Sequence, residues 1–144
     1  MGEEFFGAMH TDNPRPDVKQ LAFLGDAVCH LYVRERLVAQ DVRRDIAGHA
    51  IEHVSATAQS HSVNALLANL SQEEHGIYRW GRNSGIGVTP KNAAPAQYDD
   101  ATGWEVLCGW LYWQRRMDRL QELLQQGYDA ADHIKEENEP YGKS

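Results

Sequence analysis

The chain has 144 residues, 42% of them hydrophobic, which suits one compact domain with its own core and leaves little room for a second. Its formal net charge of −7 argues against a polyanionic partner only until the charges are placed. Glu3, Glu4 and Asp12 lie at one end, and Asp129, Asp132, Glu136, Glu137 and Glu139 outweigh Lys135 and Lys143 at the other, so the stretch between is nearly neutral.

No run approaches membrane-spanning length. Met1-Gly2-Glu3-Glu4-Phe5-Phe6 lacks the basic start of a secretory signal, and Phe6 stands where a myristoylation motif needs a hydroxyl. Periodicity is helical throughout with no alternating strand, so the expected fold is all-α, a helical bundle over residues 13–128. Residues 1–12 and 129–144 are expected to be acidic, flexible tails.

Asn13-Pro14-Arg15-Pro16-Asp17 is a helix start, and the first helix is expected from about Asp17 to Ala39. It contains the run Leu21-Ala22-Phe23-Leu24-Gly25-Asp26-Ala27-Val28, with one carboxylate among apolar neighbours. Ala22, Cys29 and Val33 share a face with Asp26, which directs the acid toward packed protein or a cleft; a solvated acid at the stripe's edge is the alternative. After Arg43-Arg44-Asp45, the apolar positions Ile46, Ala50, Val54, Ala58, Val63, Leu66, Leu67 and Leu70 predict one long, bent helix.

Ser71 and Glu74 form a capping box that opens a helix running toward Arg82. The breaker-rich segment from Asn83 to Asn92, continuing to Pro95, predicts a long functional or mobile loop, with Arg79 and Arg82 before it and Lys91 inside it. Ala101 to Trp113 is apolar on nearly every side and predicts a central helix in which Glu105 is the sole charged group. A last amphipathic helix carrying Leu120, Leu123 and Leu124 is expected to end near Gly127.

Cys29 and Cys108 lie in apolar helical contexts and read as buried thiols of an intracellular protein rather than a disulfide. His49, His53 and His61 have no Cys or acid pattern that completes a zinc site, so polar surface or partly buried roles are expected. Two core helices that each carry one carboxylate are consistent with a shared magnesium ion, which takes one or two protein carboxylates and completes its shell with water and phosphate oxygens. A helix cap or an arginine pair is the structural alternative for each acid.

The Leu21 to Val28 run resembles the signature of the ribonuclease III family. The resemblance continues through Val54-Ser55-Ala56-Thr57-Ala58-Gln59, Gly81-Arg82-Asn83, Pro90-Lys91-Asn92, Tyr98, Ala101-Thr102-Gly103-Trp104-Glu105 and Arg119-Leu120. It covers residues 17–125 in one order, and is closest to the short Mini-ribonuclease III branch, which lacks a double-stranded-RNA-binding domain.

The resemblance implies a helical homodimer in the cytoplasm that cuts double-stranded RNA with magnesium, in maturation of large-subunit ribosomal RNA. A ribosomal protein presenting the substrate is a candidate further partner. Asp26 matches the catalytic aspartate and Glu105 the metal-binding glutamate, so both are the expected catalytic and metal residues. Longer relatives carry further acids where this chain has Ala22 and Thr102, and the short branch more often has Tyr-Glu at Cys29-His30 and a basic residue at Trp80.

Duplex RNA is read through its phosphates and 2′-hydroxyls, and Arg79, Arg82, Asn83, Lys91 and Asn92 are the expected contacts. Two other readings compete: a catalytically weak or inactive RNA-binding module of ribosome assembly, and a helical protein that only dimerises.

Overall fold

The structure, a computed structural model, describes residues 12–87, 91 and 94–138. The expectations for residues 1–11 and 139–144, and for Asn92, lie outside the described residues. The described residues form six α-helices in order: α1 (Val18–Ala39), α2 (Ile46–Val54), α3 (Ala56–Leu66) with a 3₁₀ turn at Leu67–Asn69, α4 (Gln72–Arg82), α5 (Pro95–Trp113) and α6 (Met117–Asn138). Among the described residues there is no strand, as the periodicity predicts.

Two starts follow from local chemistry. The Asp17 carboxylate accepts the Gln20 N–H at 2.7 Å while the Gln20 side chain accepts the Asp17 N–H at 3.0 Å, satisfying donors that the first turn of α1 leaves open. Ser71 and Glu74 make the same reciprocal pair at α4, at 3.1 and 2.8 Å. Pro95 occupies the first turn of α5, so the central helix begins before the expected Ala101.

The single long helix expected after Asp45 is two. Ser55 is extended (φ −64°, ψ 158°) and its hydroxyl accepts the Ala58 N–H at 3.2 Å, ending α2 and capping α3 in one residue. The 3.6-residue period continues across the break, so the apolar pattern conceals it.

Helix α5 is the axis of the molecule, packed against α1, α3 and α4, with Val106, Leu107, Cys108 and Leu111 wholly buried. Against α1 the contact is backbone on backbone. A β carbon at Gly25 would lie 1.7 Å from the Glu105 carbonyl oxygen, and one at Gly109 would lie 2.1 Å from that of Leu21. Only two glycines let the helices approach this closely.

Gly127 does not end the last helix, which runs on to Asn138. Its lack of a side chain serves packing instead: the Ser62 hydroxyl donates to its carbonyl at 2.8 Å, and a β carbon would lie 3.2 Å from Trp104. Residue 128 lies within α6. Beyond it Arg36 donates to Asp129 at 2.7 Å, and His53 stacks on Tyr128 with ring centres 4.2 Å apart, joining α1, α2 and α6.

Among the described residues no helix is long and apolar enough to cross a membrane. Cys29 and Cys108 are buried free thiols in mutual contact between α1 and α5.

Candidate active site

The Gly25–Gly109 crossing places the residue after Gly25, Asp26, beside Glu105, one helical turn before Gly109. Their carboxyl groups are within hydrogen-bonding reach of each other. They share a cleft of about 300 Å³ with Lys19, Ala22, Phe23, Ile86, Gly87 and Thr102.

Of the two acids Glu105 is the more buried one. The Asp26 side chain is 58% exposed at the open side of the cleft, whereas Glu105 sits deeper on α5. Burial, together with the hydrogen bond and charge of Asp26, pushes Glu105 up to about 9. Two carboxyls held this way repel when both are ionised, and a cation shared between them relieves both the burial and the repulsion.

The donor chemistry therefore fits a hard cation such as magnesium: carboxylate oxygens on one side and an open cleft on the other for water or phosphate oxygens. Among the described residues no group of three or more His, Cys, Asp or Glu forms a metal cluster, so two protein carboxylates are what this site offers. Ala22 and Thr102 line the same cleft, and the Thr102 hydroxyl donates to the Tyr98 carbonyl at 2.9 Å. His30 lies one turn beyond Asp26, its Nε2 3.4 Å from the carboxylate, while Cys29 is buried in the core.

The structural alternatives weighed for these two acids describe two others. Glu74 caps α4 and takes Arg119 in a fork, Nε to Oε2 at 2.9 Å and a terminal nitrogen to Oε1 at 2.8 Å. Asp100 accepts from Ser60 at 2.9 Å, Asn64 at 3.2 Å, Tyr78 at 3.0 Å and Arg82 at 2.8 Å.

A second cleft, of about 410 Å³, lies between α3, α4 and the start of α5. Three of the expected RNA contacts meet there, Arg79, Arg82 and Asn83, joined by Asn64, His75 and Asp100. Three residues of chain, Ser84 to Ile86, separate Asn83 here from Gly87 in the carboxylate cleft, so the segment after α4 connects the two. Lys91 is exposed farther along the loop, and Trp80 is 44% exposed on α4.

Sequence reasoning missed Lys19 and Asp100. The position of Lys19 seven residues before Asp26, two turns along one helix face, was an available signal. Asp100 gave none, since its partners lie on other elements.

The ribonuclease III domain model matches residues 19–116. The chain is 42% identical over 116 residues to Mini-ribonuclease 3 of Symbiobacterium thermophilum, covering 79% of this chain and 87% of that one. It is 40% identical to Mini-ribonuclease 3 of a Thermoanaerobacter species, covering 73% and 75%. A solved structure from Fusobacterium nucleatum superposes with a TM-score of 0.67 at 24% identity, over 74% of this chain and 86% of that chain, a likeness of fold.

Proposed function

The chain belongs to the ribonuclease III family and is an endoribonuclease, and from that premise we propose that it hydrolyses double-stranded RNA with a magnesium ion held by Asp26 and Glu105. The observation that supports this reading is the contact between those two carboxyls in an open cleft. Bound there, magnesium supplies the positive charge that polarises a phosphodiester and makes water a competent nucleophile.

The protein's own part is placement. Gly25 and Gly109 hold Asp26 against Glu105, and burial of Glu105 keeps bulk water from one side of the pair. Hydrolysis then needs no covalent intermediate with the enzyme. The second cleft, with Arg79, Arg82 and Asn83, and Lys91 on the loop engage the phosphates of the duplex, and Asn92 belongs to the same set.

A homodimer completes the reading. Phe23, in the carboxylate cleft, is 84% exposed and Leu31, eight residues along α1, is 63% exposed; these apolar side chains suit a second copy, and pairing would present two RNA surfaces to one duplex. The substrate proposed is a large-subunit ribosomal RNA precursor in the cytoplasm, a setting that accords with two buried free thiols. A ribosomal protein that presents this precursor belongs to the same proposal.

His30, sharing the Asp26 carboxylate, favours one competing reading, an RNA-binding module of weak or no activity. Cleavage of a structured duplex in magnesium, with binding measured in calcium, separates the two. Cutting that stops with a chelator supports the enzyme; binding in both ions without cutting supports the module.

A further inference from the structure

Asp100 is a buried acid that the cleavage site does not use. Both of its oxygens are occupied: Tyr78 and Arg82 donate to Oδ1 at 3.0 and 2.8 Å, and Ser60 and Asn64 donate to Oδ2 at 2.9 and 3.2 Å. Burial works against this carboxylate, but the hydrogen bonds from Arg82, Ser60, Asn64 and Tyr78 outweigh it and hold Asp100 below its ordinary range. It stays an anion, anchored from α3 and α4 together.

Its bond to Arg82 joins the buried interior to the surface. The Asp100 side chain is 11% exposed and that of Arg82 is 40% exposed, on the cleft that also holds Arg79 and Asn83. Asp100 engages Nε of the guanidinium, and Tyr78 contacts the same group. Arginine carries five N–H donors in a fixed plane, so a group held at Nε still offers its terminal donors to a ligand.

Holding a long side chain in one orientation before binding removes entropy that would otherwise be lost on association. The ligand such a fork fits is a phosphate, which accepts paired N–H donors.

We propose that Asp100 is a positioning residue, fixing Arg82 so that its terminal nitrogens hold a backbone phosphate of the duplex RNA. The inference rests on the RNA reading given above and adds to it a group that never touches the substrate. It also distinguishes Arg82 from an ordinary surface cation, whose charge alone would matter.

The test is steady-state cleavage of a duplex RNA by the full chain in magnesium, with melting temperature recorded for each variant. Asp100→Asn is expected to raise KM roughly tenfold with kcat within roughly twofold, the loss of one charge-assisted contact. Arg82→Met is expected to raise KM similarly, and adding Asp100→Asn to it to change KM no further.

Because Asp100→Asn disturbs a buried cluster, Arg82→Lys gives an independent reading: it keeps the charge and loses the fork, and is expected to behave like Arg82→Met. A parental KM in Arg82→Lys or Asp100→Asn overturns the proposal, as does an equal effect of Asp100→Asn with and without Arg82. If the parent itself neither binds nor cuts duplex RNA, it is the RNA reading that fails, which is a separate result.

Discussion

Gly25 lies against the backbone of Glu105 so closely that a β carbon there would sit 1.7 Å from the Glu105 carbonyl oxygen. The next residue along α1 is Asp26, so the distance between the helices also sets the distance between the two carboxyls. One packing contact thereby serves both fold and site.

Gly25→Ala forces α1 away from α5. Overpacking of this kind costs about 1–3 kcal/mol, and for a chain of this size each kcal/mol lowers the melting temperature by about 2–4 °C. The cleavage rate measured well below the new melting temperature is expected to fall at least tenfold. A folded Gly25→Ala protein with the parent's rate would separate the helix crossing from the site.

Glu105 makes the metal-free fold sensitive to pH. Its folded-state value is about 9 against an ordinary 4.5, so between those limits the unfolded chain sheds a proton that the fold retains, and stability falls as pH rises through the window. Glu105→Gln is expected to melt higher than the parent in chelator at pH 8, with the difference shrinking toward pH 5. Magnesium is expected to raise the parent's melting temperature and to do little for the variant.

Glu74 and Asp100 act in the opposite direction. The Arg119 fork lowers Glu74, and the cluster around Asp100 lowers that acid despite its burial. Each contributes stability that is complete above the ordinary carboxylate range and is lost as pH falls through its folded-state value, so acid unfolding should begin below about pH 4. Arg119→Met leaves Glu74 buried without its partner, and a loss of about 3 kcal/mol in denaturant unfolding is expected.

Arg79, in the second cleft, is proposed as a phosphate contact rather than a base reader. Arg79→Met should weaken binding alike for duplexes of different sequence and reduce the slope of log affinity against log salt by about one. Binding titrations at four salt concentrations check both.

The sequence announced what neighbouring residues decide. Asp17 and Ser71 mark helix starts because a cap acts within one turn, and the apolar run around Asp26 and Glu105 identified two core helices. Ser55 escaped notice because the period continues through it, and Gly127 because a glycine demanded by Ser62 and Trp104 looks like one demanded by a helix end. Asp100 was least legible: its partners stand 18, 22, 36 and 40 positions away, and no local pattern reports such distances.

The most direct test replaces one atom of the site. Asp26→Asn, compared with the parent on a structured ribosomal RNA precursor in magnesium, is expected to abolish cleavage while the fold and oligomeric state stay those of the parent. Cleavage at the parent's rate would contradict the assignment of Asp26 and Glu105 as the catalytic pair.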